Sequence, residues 1–457
     1  MKLGKKNLVL DISAFFLAMV FIIIYAFDIA IPISFPLIAL FVFVCLCLFS
    51  SRFAVYKFLV KIMVLFYFFP IVPLYGYLIF PDYEWTWLPH QRIALTEDIN
   101  LKIALVGVIG ILGIFGGMCI SRNKVYSSQT FVYPKLRMLT KFKFILWSVL
   151  CVFLSYLSAP ANTIFEGAYY GEGFTKILAI PNFNAGYIVS YIIACFLYLD
   201  YERDTSQNRI IKKIVWYLCF LIIIVYYQAL RGDREFIGLL LGFALIKIYE
   251  PFRKDISFNE ALNRIRTKVR KYSIISLFLV LLFLYIGIVR FSAVEGSLLI
   301  TGLFMNAPWT MSTLSFLAFF STEQLTPLSL GITYLDYILS IIPTFVYSLF
   351  GFESPSWSNN LAAKLVETNL TSGGVHVSLV SLSNFGILGV YLVMCVYGSY
   401  ASIIERLAIQ KGSIFILLWI GLIVSVPFWF WYGEMAAVRG VMAASILFYL
   451  LKIRISY

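Results

Sequence analysis

Apolar runs of about 17 residues or more recur from one end of this chain to the other, and each can cross a bilayer core of about 30 Å as a helix. No other feature limits the fold so tightly. A backbone in hydrocarbon must satisfy its own hydrogen bonds, so it spans only as helices or as a closed barrel. The runs are continuous and do not alternate, which argues against a barrel. Charged residues make up 13% of the chain, against about 25% in a soluble domain. The expected fold is an all-α polytopic membrane protein, with residues 1–457 forming one integral membrane domain.

Twelve spans are expected, at 8–27, 33–50, 58–80, 101–120, 143–159, 183–199, 213–229, 235–249, 272–289, 384–401, 412–431 and 436–452. Two further apolar stretches, 297–320 and 329–351, would raise the number to fourteen if both cross. The first span lacks a small-residue cleavage pattern and is too long for a signal peptide, so it is expected to stay in place. All seven cysteines lie in or at the ends of apolar runs and read as small core residues, with no disulfide or metal cluster expected. No internal repeat is evident.

The basic residues set the orientation. With "MKLGKK" placed in the cytoplasm, 28 of the 36 lysines and arginines fall on inner loops and adjoining helix ends, and both termini lie inside. Seven fall outside, Arg92, Lys176, Arg231, Arg234, Arg290, Lys364 and Arg439, and Lys102 sits on a boundary. The net charge of +13 is therefore a topology signal and a contact with anionic inner-leaflet lipids, not a nucleic-acid footprint. Residues 290–383 form one large extracytoplasmic segment, expected to hold re-entrant or interfacial helices because its connector "STEQLTPLSLG" carries no basic residue. A segment of that size between spans is usually functional.

The rare outer arginines are the candidate site. Arg231 and Arg234 sit in "QALRGDREFIGLLLG", which ends the seventh span and opens the eighth; Arg290 ends the ninth and Arg439 opens the twelfth. Each alone can snorkel or pair with Asp233, Glu235, Glu295 or Glu434. Together they suggest an anion cradle, since the planar guanidinium binds two phosphate oxygens and keeps its charge. His376, in "TSGGVHVSLVSLSNFGILGV", is either an interfacial histidine or a catalytic one. His90 reads as interfacial. The aromatic clusters "PDYEWTWLPH", "EGAYYGEGF" and "PSWS" fit membrane belts or sugar-stacking platforms.

Absences narrow the chemistry. No aspartate-any-aspartate pair, no phosphate-binding "GxxxxGK[ST]" loop and no histidine with the four-residue spacing to aspartate used by many acyltransferases occurs. A metal-independent reaction without a nucleotide donor, and with no cofactor, is expected.

Several of these residues resemble a known family. Twelve spans, inner termini, the arginine–glycine–aspartate–arginine cluster at an outer helix end and a large late outer segment are similar to the O-antigen polymerases (Wzy). Ten residues lie between Arg231 and Gly242, as in the arginine–glycine motif of some members; eleven lie between Arg290 and Gly302. "NFGILG" at 384–389 resembles the end of a late family segment, with Val380 where a glutamate is common. The stretch from His376 is also similar to a histidine pattern of O-antigen ligases, one residue short.

The resemblance implies a glycosyltransferase on the periplasmic face of the bacterial inner membrane. It would transfer a glycan from undecaprenyl diphosphate to a lipid-linked repeat unit in lipopolysaccharide or other surface-polysaccharide biosynthesis. Arg231, Arg234, Arg290 and Arg439 would hold the diphosphate and glycan. Arg231 and Arg290 would stabilise the leaving group, and His376, Asp233, Glu295 or Glu434 would handle the acceptor proton. The partners would be undecaprenyl-diphosphate-linked oligosaccharides, membrane lipids and a chain-length regulator protein, with no nucleic acid. One alternative is an O-antigen ligase. Another is a flippase for lipid-linked oligosaccharides, which would need charges at mid-membrane, whereas here they gather at outer helix ends.

Overall fold

The computed structural model describes residues 2–49, 58–72, 74–75, 96–120, 308–321, 328–339, 349–352, 361–370, 374–411 and 414–432, with isolated positions between them. The chain divides into two compact units. The first comprises Met1–Ser127, Ala307–Arg406 and Ser425–Arg439; the second comprises Ser128–Asn306, Leu407–Val424 and Gly440–Tyr457. In the second unit the described residues are chiefly 407–411 and 414–424, which continue helices.

The described residues form helices and no strand. They are α1 (Lys2–Ala26), α2 (Ser34–Phe49), α3 (Phe58–Phe68, continued by a 3-10 turn at Phe69–Ile71), α4 (Glu97–Ile120), α5 (Pro308–Ser321), α6 (Ile332–Leu339), α7 (Leu361–Val366), α8 (Val377–Lys411) and α9 (Ile414–Tyr432). Three contain stretches long and apolar enough to cross a membrane: Val9–Ala26, Glu97–Ile120 and Val377–Ala408. Shorter apolar helices cover Ser34–Leu48 and Leu59–Ile71. Elements thus stand at six of the twelve expected spans, while the fifth to ninth spans and the twelfth lie outside the described residues, apart from isolated positions.

Helix directions can be read from which ends meet. α1 is antiparallel to α4: Lys102 lies 3.7 Å from Asp28, just beyond the end of α1, and the Cys119 thiol donates to Asp11 near its start. α3 is antiparallel to α4, with Tyr67 at Gly110 and Ile71 at Gly107. α2 runs parallel to α4, with Leu40 near Gly107 and Phe43 against Phe115 at a 5.4 Å ring separation. α8 is also parallel to α4, matching Gly113 to Tyr391 and Gly117 to Ser399. So α1 and α3 run one way and α2, α4 and α8 the other.

α4 is the hub, and glycine is the reason. A Cβ on Gly113 would lie 2.5 Å from the Tyr391 carbonyl oxygen, and one on Gly117 would overlap the Cys395 carbonyl. Only glycine lets the two backbones approach so closely, the usual way membrane helices associate where lipid is as apolar as the side chains. At the far end of the same pairing the buried Glu405 carboxylate accepts the Leu59 N–H at 2.9 Å, capping the first turn of α3.

α8 departs from the expected tenth span. It starts at Val377 rather than 384, and Gly386 breaks it with φ 68° and ψ −167°, a region essentially reserved for glycine. Ser378, Ser381, Ser383 and Asn384 lower the apolarity of the segment before the break, which hid its membrane-helix character. All four are buried against protein.

Candidate functional site

The buried polar centre of this unit is built around the start of α8. His376 stands just before the helix and is 0% exposed. Its Nδ1 accepts from the Ser378 hydroxyl at 2.6 Å, with the Ser378 N–H alongside at 3.3 Å. The ring thus caps the helix from the N-cap position, where a side-chain acceptor takes an otherwise orphaned N–H. With Nδ1 accepting, Nε2 carries the proton and donates to the Tyr67 carbonyl at 3.3 Å. The His376 backbone N–H donates to the Ser315 hydroxyl at 3.4 Å.

Aromatic rings enclose the imidazole. Tyr67 meets it edge-on at 4.9 Å and Phe316 lies tilted at 5.0 Å, with Phe430 farther off at 6.5 Å. Tyr67 is itself pinned by its hydroxyl to the Val106 carbonyl at 2.9 Å. Burial pushes the His376 imidazole down to about 3, so it stays neutral. His376 therefore joins α3, α4, α5 and α8 through side chains that are already occupied. Its chemistry here is that of a neutral donor–acceptor holding a helix start.

A second polar cluster surrounds the helix break. The Asn384 Nδ2 donates to the Val380 carbonyl at 2.7 Å, and its Oδ1 accepts the Gly331 N–H at 3.0 Å. The Ser329 and Leu330 N–H groups donate to the Ser383 and Asn384 carbonyls at 2.9 and 3.1 Å. The Tyr334 hydroxyl is 3.1 Å from that of Ser381, and its ring stacks on Phe385 at 5.9 Å with planes 10° apart. Residues 328–331 and α6 thus strap the broken helix, supplying the donors that continued helix would have supplied.

Of the candidate site residues, His376 lies among the described residues. Arg231, Asp233, Arg234, Arg290, Glu295, Glu434 and Arg439 lie outside the described residues. Sequence reading passed over Tyr67, Ser315, Ser378 and Tyr334, which complete both clusters. The one local signal was "SLVSLSNFG": Ser378 and Ser381 three residues apart, as on one helix face, and an asparagine two residues before a glycine, a combination that favours a break. No family model, curated protein or solved structure matches this chain.

Proposed function

We propose that this protein is a membrane-embedded, metal-independent glycosyltransferase that polymerises surface-polysaccharide repeat units carried on a polyprenyl diphosphate, on the periplasmic face of the bacterial inner membrane. The sequence observation that carries the reading is the set of arginines, Arg231, Arg234, Arg290 and Arg439, that the basic-residue pattern is expected to leave at outer helix ends while 28 of the 36 lysines and arginines fall on the expected inner side. Positive charge is disfavoured there, and an anionic substrate headgroup would explain it. The "NFGILG" stretch that resembles the polymerases adds support, because its Asn384 and Gly386 make the break in α8.

The reaction balances without a cofactor. The acceptor hydroxyl oxygen attacks the anomeric carbon of the donor glycan, and the bond from that carbon to the diphosphate oxygen breaks. Negative charge grows on the departing diphosphate, and a preorganised arginine cradle stabilises it more in the transition state than in the ground state. The acceptor proton goes to a carboxylate. Asp233, Glu295 or Glu434 takes that role in this proposal, because both ring nitrogens of His376 are engaged and the ring is sealed from solvent.

The test is glycan length in a strain lacking the gene, complemented with variants. Arg231→Ala and Arg290→Ala are each expected to remove long chains while single-repeat product is still transferred to its acceptor. Lysine at either position should also impair synthesis by about tenfold or more, since a point charge loses the two-pronged geometry. Long chains of normal distribution in both alanine variants would sink the cradle. Loss of even the single-repeat product would instead favour the ligase or flippase reading.

A further inference from the structure

The strap over the broken helix has a second face that stands exposed, with no described residue covering it. Along residues 328–338, Thr333 and Tyr337 turn inward and are buried. Leu328, Leu330, Ile332, Leu335 and Ile338 turn outward and are at least half exposed, Leu330 to 77%. Soluble surfaces seldom gather so many branched apolar side chains without an occupant. Asp336 is half-buried and the one charged residue in 328–338.

What covers that face follows from where the strap is tied. Its backbone N–H groups satisfy the Ser383 and Asn384 carbonyls, and both residues belong to Val377–Ala408, a stretch apolar enough to cross a membrane. A helix broken within a span leaves carbonyls that hydrocarbon cannot satisfy, so another part of the protein must reach them at that depth. The strap does so. From the residue before the break onward, α8 itself exposes Phe385, Leu388, Leu392 and Val396 at helical spacing. Gly331 lies against the Phe385 ring, and Leu328 is the nearest side chain to Gly386. The exposed strap residues therefore continue the exposed stripe of a membrane-length helix.

We propose that residues 328–338 form a non-spanning strap embedded in one leaflet, whose Leu/Ile face contacts lipid acyl chains while its polar face seals the break in α8. The partner is the bilayer itself. The assignment does not depend on the reaction the chain performs. It explains why the strap combines an inward Thr–Tyr edge with an outward aliphatic one, as a helix lying between protein and lipid must.

The experiment places photo-leucine, a diazirine isostere of leucine that leaves side-chain volume almost unchanged, at Leu330 and separately at Leu335. Each full-length protein is reconstituted in vesicles of palmitoyl-oleoyl phosphatidylcholine, irradiated, and digested for mass analysis of the labelled peptide. The same label at Asp28, whose side chain is 75% exposed at the end of α1, gives the water reference. Phospholipid adducts at Leu330 and Leu335 are expected to exceed water adducts at least tenfold. Predominant water insertion at those positions would overturn the proposal, and so would crosslinks to a second copy of the chain or to another protein. Neither result would touch the arginine cradle, which is read from glycan length.

Discussion

α1 and α4 are equally apolar across their membrane-length stretches, each with a mean hydropathy of 2.5, yet 17% of the first is buried and 83% of the second. Lipid is as apolar as leucine, so hydropathy brings a helix into the membrane without deciding whether it sits at the rim or the centre. The difference lies in side-chain size. α4 carries Gly107, Gly110, Gly113, Gly116 and Gly117, while α1 has no glycine between Val9 and Ala26. α1 turns Ala14, Ala18 and Phe21 inward and presents Phe16, Val20 and Ile23 outward. A stripe of small residues marks the helix that others surround.

The strongest way to break this comparison is to add bulk to both helices. In Gly117→Leu even the first added carbon would meet the Cys395 carbonyl, and backbone cannot swing aside as a side chain can. A loss of at least about 3 kcal/mol is expected, enough to deplete folded protein. Val20→Leu adds bulk on the outward face of α1 and should shift stability by less than about 0.5 kcal/mol. Thermal unfolding in detergent, followed by tryptophan fluorescence, measures both. Equal midpoints would mean that the glycine contact is not what seats α4.

Polar groups divide between centre and rim in the same way. The Lys102–Asp98–Asp28 cluster where α1 meets α4 is largely open to solvent, and exposed pairs of this kind contribute little. His376 is sealed, and burial holds it at about 3 against an ordinary 6.5. Between those values the unfolded chain takes a proton that the folded chain refuses. The stability tied to neutral His376 is complete above about pH 6.5 and falls as pH drops, by about 2 kcal/mol at pH 5. His376→Gln keeps an acceptor and a donor but cannot titrate. Its unfolding midpoint should therefore change less between pH 7.5 and pH 5 than that of the unaltered protein. Identical slopes would show that the cap is not the group that responds to acid.

The helices at the first, second and eleventh expected spans were legible because hydrophobic length is a one-dimensional property. The expected boundaries of the first and second spans and of α9 lie within a few residues of the observed ones, apart from the charged start of α1. The start of α8 was not legible. Ser378, Ser381 and Asn384 look like a loop to any hydropathy reading and become helix only because α3, α5 and the strap satisfy or cover them. His376 could be picked out as one of two histidines, but its job could not. Whether an imidazole is an open base or a sealed cap depends on Tyr67 and Ser315, which are 309 and 61 residues away. Sequence spacing carries no trace of contacts that distant.

The finest test concerns the one place where α4 breaks its own pattern. Asn100, in the first turn, is 1% exposed, and neither its Nδ2 nor its Oδ1 finds a hydrogen-bond partner among the described residues. Its backbone is not the reason for its presence, since the Asn100 N–H is already satisfied by the Thr96 carbonyl at 3.0 Å. A buried amide left unpaired costs about 1–3 kcal/mol, and asparagine is also a poorer helix former than leucine by a few tenths of a kcal/mol. Asn100→Leu keeps the same branched skeleton of four side-chain heavy atoms and removes both idle polar groups, so it should raise stability by about 1–2 kcal/mol, measured by the same unfolding assay. A stabilised variant would sharpen the contrast with α1 by showing that the centre of this bundle tolerates small residues and rejects idle polar ones. A destabilised variant would mean that the amide is engaged, and small size alone would no longer account for what α4 requires.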